Sequence, residues 1–123
     1  MILYLDLEVL ADHVNNAGFK VRDYGLLEAA LARARTNLYG IDVYSTIELK
    51  AAAIVHSIIK GQPLVAANNR AAWFILNSFL TMNGILLKAG HDQVLGVMHK
   101  IQTDKISLNH VADWISTHTA PFA

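Results

Sequence analysis

Between Gln62 and Arg70 the chain reads Gln62-Pro63-Leu64-Val65-Ala66-Ala67-Asn68-Asn69-Arg70, a short loop that runs directly into an apolar, helix-forming stretch. Such a loop sets backbone N–H groups at a helix N-terminus beside two polar side chains, Asn68 and Arg70. This is anion-binding chemistry: the helix end contributes roughly 0.3–1 kcal/mol at an exposed site, and a guanidinium can add bidentate hydrogen bonds to phosphate. A polar residue at a helix start is also the chemistry of an ordinary connection, so spacing alone leaves both readings open.

The other groups able to do chemistry are more dispersed. His56 lies six residues before Gln62, more than a helical turn from the loop, and reads as a core or helix-surface histidine. His91 with His99, and His110 with His118, lack the adjacent-turn spacing and third ligand of a metal site, so no metal is expected and solvated histidines are the default. Trp73, Phe74 and Phe79 share a helical setting that makes them core rather than base-stacking residues, and Trp114 packs with Val111 and Ile115. Arg33 and Arg35 sit near a helix end and are weak candidates for pairing with a partner's carboxylates.

These groups must be carried by a chain of 123 residues, enough for one domain over residues 1–123, and 54% of them are hydrophobic, enough for a real core. Ten basic residues balance ten acidic ones, so nothing in the charge draws the chain to nucleic acid or an anionic membrane. Cysteine is absent, and the apolar run Met1–Leu5 is broken by Asp6 and Glu8 before it reaches signal-peptide or transmembrane length. A cytoplasmic protein is expected.

Apolar periodicity and capping residues predict about six helices. Asp6 starts the first, which Asn15, Asn16 and Gly18 stop; Asp23 caps a second, running to about Arg35; Ser45 and Glu48 have the spacing of a capping box for a long third helix ending at Gly61. Asn68 caps a fourth, apolar on nearly all sides and therefore a buried central element. Ile85-Leu86-Leu87 reads as a short extended piece. Asp92 and Ser107 cap two last helices, near residues 93–103 and 108–118, and the end around Pro121 is expected to fray. The fold class is all-α, a compact helical bundle.

The loop 62–72 resembles, position by position, the signature His-Pro-Phe-Val-Asp-Gly-Asn-Lys-Arg-Thr-Ala of the Fic/Doc family, in particular its short Doc-like, death-on-curing branch. Upstream, Arg22-Asp23-Tyr24-Gly25-Leu26-Leu27-Glu28-Ala29-Ala30-Leu31-Ala32-Arg33 is similar to that branch's R-D-x-G-L-L-E-S-A-L-A-R segment. Tyr39-Gly40-Ile41-Asp42-Val43-Tyr44 falls where it often has Gly-Glu-Asp-x-Tyr, and Glu48–Ala53 and Met82-Asn83-Gly84 also fit. The resemblance spans roughly residues 3–117.

The resemblance implies a bacterial toxin–antitoxin protein whose fold transfers phosphate to a threonine of a translation factor, elongation factor Tu, and is blocked by an antitoxin segment. It implies a histidine base, an acidic residue holding magnesium, and an asparagine and arginine holding phosphates. This chain has Gln62 at the base position, Ala66 at the acidic position and Asn69 at the usual lysine or glycine, while Asn68 and Arg70 keep the phosphate-binding positions. An amide cannot carry a proton near neutral pH, and loss of a general base costs about 10²–10⁴-fold. Alanine cannot ligate magnesium. The expectation is a catalytically degenerate Doc-like protein acting through binding, with an antitoxin-like peptide or a translation factor as partner. ATP with magnesium is at most weakly held. The alternatives are an atypical phosphoryl or nucleotidyl transferase modifying a protein hydroxyl, and an inert relic.

Overall fold

The computed structural model describes residues 1–122. The elements run α1 (Leu7–Asn16), α2 (Tyr24–Arg33), β1 (Asn37–Leu38), β2 (Ile41–Asp42), α3 (Ile47–Gly61), α4 (Asn68–Met82), β3 (Ile85–Leu87), α5 (His91–Gln102), α6 (Leu108–Thr117) and β4 (Thr119–Pro121). Three helix starts are capped as the sequence predicts. Asp6, Asp23 and Ser107 each accept a hydrogen bond from the backbone N–H three residues on, at 3.2, 3.0 and 3.2 Å.

Other boundaries differ by one or two residues, each for a local reason. Thr46 rather than Ser45 caps α3, its hydroxyl accepting from Leu49 N–H at 3.1 Å. Gly90 rather than Asp92 precedes α5, where Gln93 reaches back to accept from the Gly90 N–H at 2.9 Å. Asp92 then lies in the first turn, where its charge still favours the helix dipole. Up to Phe122 the chain does not fray as predicted: Thr119–Pro121 pairs antiparallel with Ile85–Leu87, and Phe122 N–H donates to Gly84 O at 3.0 Å, while Ala123 lies outside the described residues.

Helix α4 is central as expected, but it shares the centre with α3. Ala51 to Val55, Ile58 and Ile59 of α3 are buried, and that helix packs against α2, α4, α5 and α6. The alanines 51–53 leave room for neighbouring helices to approach closely, while Ile75, Leu76, Phe79 and Leu80 of α4 fill the space opposite. Trp73 and Phe74, expected in the core, are half-buried and pack on its edge, Phe74 against Phe19 with ring centroids 6.1 Å apart.

One charge lies fully inside. Lys50 has no exposed surface; its ammonium donates to Ala34 O at 2.9 Å and to Asp42 Oδ2 at 3.2 Å, with the Tyr4 ring 5.4 Å away. These contacts fasten the β1–β2 hairpin to α2 and α3, because a buried ammonium without partners would be far costlier than one held on several sides. Past that anchor the hairpin presents Leu38, Tyr39 and Ile41 to solvent. Among the described residues no helix is long and apolar enough to cross a membrane.

Candidate functional site

The loop between α3 and α4 is held in a fixed shape from two sides. Residues 20–23 lie antiparallel to it: Val65 N–H donates to Lys20 O at 2.8 Å, the N–H groups of Arg22 and Asp23 donate to Pro63 O at 2.8 and 3.0 Å, and Val21 bridges Leu64. The Arg22 guanidinium closes the end of α3, donating to Gln62 O at 2.6 and 3.0 Å and to Gly61 O at 3.3 Å. A cation there satisfies carbonyls that the helix leaves unpaired and opposes the negative end of its dipole.

Two residues in the loop adopt the left-handed backbone conformation, Gln62 at φ 54° and Ala67 at φ 58°. The sequence assigns the end of α3 to Gly61, yet the left-handed turn falls on Gln62, which is the C-cap. Likewise Ala67 is the N-cap of α4 and offers no side-chain cap, so Asn68 is the first helical residue instead of the cap. Ala67 stands where the family signature has glycine, the residue that this conformation favours.

Asn68 is buried at 6% exposure, and its amide is used inside the loop. Oδ1 accepts from Leu64 N–H at 3.0 Å, and Nδ2 donates to Leu64 O and to Gln62 Oε1, both at 3.2 Å. Gln62 donates in turn to Ile59 O at 2.7 Å, so its side chain folds back on α3. Asn69 reaches Gln102 of α5, donating to its Oε1 at 3.1 Å. The predicted site residues are thus brought together, but Gln62, Asn68 and Asn69 act as braces in this arrangement, while the exposed side chain of Arg70 makes no such bond.

Arg70 opens onto a cavity of about 440 Å³ whose other walls include Phe19, Lys20, Val65, Ala66 and Ala67. Two cations meet there beside Ala67, the N-cap of α4, and no carboxylate lines it. This set suits an anion and does not suit magnesium, which takes hard, mostly anionic oxygen ligands. Lys20 was missed by the sequence reading, since only the antiparallel pairing of residues 20–23 with the loop brings it in. Among the described residues no group of three or more His, Asp or Glu side chains could hold a metal ion. A larger groove of about 530 Å³ runs between α1 and α4; Tyr4, Leu5, Val9, Phe74 and Met82 make its mainly apolar surface, with Asp6, His13, Asn77, Ser78 and Thr81 among its other walls, and no loop residue lines it.

The remaining histidines are packing or surface groups. His91 meets Trp73 edge-on at 5.2 Å between centroids, His110 lies 3.0 Å from Ser107 Oγ, and His118, half-buried rather than solvated, stacks on Trp114 at 4.4 Å. His56 meets Arg33 of α2, whose Nη1 is 2.9 Å from its Nδ1. Burial, and then the charges of Arg33 and Lys60, hold its imidazole below the usual 6.5, with Asp104 opposing.

The chain is thus a six-helix bundle with a braced loop between α3 and α4 and an arginine facing a small cleft. The chain belongs to the Fic/DOC family, whose model matches residues 1–80. It is 38% identical over 117 residues to "Toxin Doc" of Mycolicibacterium smegmatis, covering 91% of this chain and 90% of that protein. It is therefore a Doc-like member of a toxin family.

Proposed function

We propose that this Doc-like protein is catalytically degenerate and acts through protein binding. The carrying observation is the composition of the cleft: Arg70 and Lys20 line it, whereas Ala66 stands at the acidic position and the Gln62 amide is turned onto Ile59 O. Arg70, Lys20 and the first N–H groups of α4 hold a phosphate group, and Asn68 keeps the loop in the shape that allows it. No group placed there can accept the proton of an attacking hydroxyl, which removes a contribution of about 10²–10⁴-fold. ATP would be held by its phosphates alone.

Two surfaces support a protein partner. The α1–α4 groove leaves Val9 and Met82 exposed beside its apolar walls, and the hairpin tip exposes Leu38, Tyr39 and Ile41. Apolar surface of this kind is what an amphipathic or extended segment covers on binding. An antitoxin-like segment fits the groove, and a translation factor is the second candidate, both in the cytoplasm. The test is transfer of label from γ- and α-labelled ATP to protein in a bacterial extract, with Arg70→Ala as control. Equal, background labelling is expected from both. Labelling by the native protein that Arg70→Ala abolishes would establish an atypical phosphoryl or nucleotidyl transferase instead.

A further inference from the structure

Along the C-terminal half of α3, the cleft between α2 and α3 has a volume of about 360 Å³ and is lined by Leu26, Ala29, Ala30, Arg33, His56, Ser57, Lys60 and Gly61. Its base is a fixed guanidinium. Arg33 Nε donates to Tyr44 Oη at 2.8 Å, Nη1 donates to Ser57 Oγ at 3.0 Å and to His56 Nδ1 at 2.9 Å, and Cζ lies 5.3 Å from the centre of the Tyr44 ring. These bonds occupy Nε and Nη1, so Nη2 is the nitrogen left to donate to a ligand. Among the described residues Nη2 has no protein partner.

The same contacts set the histidine. Because Nδ1 accepts from Arg33, the hydrogen of the neutral ring belongs on Nε2, which makes His56 a second donor in the wall. At the rim Lys60 is paired with Asp104 at 2.6 Å, so the uncompensated charge of the cleft is that of Arg33. Two donors fixed in place, an excess of positive charge and an aliphatic wall form a complement to one kind of group. We propose that the Arg33–His56 cleft binds a carboxylate side chain of an acidic peptide segment, flanked by an aliphatic residue that packs on Leu26, Ala29 and Ala30.

The proposal needs no transfer chemistry at the motif loop. The groups facing His56 are Arg33 from α2, Lys60 from its own helix and Asp104 from the turn after α5. An incoming carboxylate opposes the first two, so its binding moves the histidine midpoint upward. Charge-assisted bonds to a prearranged arginine are the strong kind, and a lysine, with one nitrogen, cannot keep the bracing bonds to Tyr44, His56 and Ser57 while donating to a ligand.

The experiment follows the His56 ring resonances of the full chain across pH, with and without acetyl-Leu-Glu-Leu-amide, its glutamine analogue, or inorganic phosphate. The glutamate peptide is expected to raise the His56 midpoint saturably and the glutamine peptide to leave it unchanged. Arg33→Lys should weaken binding by roughly tenfold or more. Because Arg33 also braces Tyr44 and Ser57, the second variant is Ala29→Glu, an exposed helical position that tolerates a good helix former. Its own carboxylate should raise the midpoint and abolish the peptide response. The proposal is overturned if glutamate and glutamine peptides act alike, if phosphate matches the glutamate peptide, if binding persists in Ala29→Glu, or if no response develops by about 10 mM, a free energy too small for a specific site.

Discussion

The side-chain amides of Asn68 and Gln62 face each other across the motif loop, Nδ2 of the first donating to Oε1 of the second at 3.2 Å. Each amide also bonds a backbone group, Leu64 N–H and C=O for Asn68 and Ile59 C=O for Gln62, so the pair ties the end of α3 to the start of α4. Replacing Asn68 by alanine leaves the N–H and C=O of buried Leu64 unpaired. Asn68→Ala is therefore expected to destabilise the fold by about 1–3 kcal/mol, read from urea unfolding.

Ala67 holds a φ of 58° without the freedom of glycine. The left-handed region costs an L-residue roughly 1–2 kcal/mol, and glycine gives back about 0.5–1 kcal/mol of that in backbone entropy. Ala67→Gly is expected to stabilise the protein by up to about 1 kcal/mol, with a higher thermal midpoint. A lower midpoint would mean that the loop is not left-handed there.

The hairpin depends on Lys50. Asp42→Ala removes the carboxylate partner of a wholly buried ammonium, and hydrogen bonds to charged groups are worth about 1.5–3 kcal/mol. A loss of stability of that order is expected. Proteolysis after Tyr39, which is fully exposed at the tip, should accelerate relative to the native chain.

His56 gives the stability a pH dependence. Its folded pKa lies below the ordinary 6.5, so between the two values the unfolded chain binds more protons, and stability rises with pH. The contribution is present above about 6.5 and is lost as pH falls from there through the folded value. His56→Gln retains an acceptor for Arg33 and should flatten the fall in thermal midpoint between neutral and mildly acidic pH.

Much of the architecture was legible because it is local. Asp6, Asp23 and Ser107 signal helix starts through contacts three residues long, and Ile85–Leu87 shows itself as an apolar run between turns. The misplacements are local as well: Thr46 and Ser45 are both competent caps, and the left-handed turn fell on Gln62 and Ala67, residues whose types do not announce it. What stayed hidden is non-local. No periodicity shows that Lys50 meets Asp42 and Ala34, that Arg22 closes α3, or that Lys20 joins Arg70 at the cleft, since tertiary pairing places each of them. The site positions Gln62, Ala66, Asn68, Asn69 and Arg70 were legible through their match to the family signature, but the bracing role of Asn68 needed its hydrogen-bond partners.

The central claim is that the loop holds phosphate without a magnesium ligand or a base. Calorimetric titration of ATP into the native protein, with magnesium and then with the metal chelated, tests it most directly, with Arg70→Ala and the Gln62→His, Ala66→Asp double variant alongside. Weak binding that is indifferent to magnesium, lost in Arg70→Ala and made magnesium-dependent only in the double variant, is the predicted result. Tight binding by the native protein that vanishes when magnesium is removed would contradict the account, because it would require a metal ligand that the cleft around Ala66 does not provide.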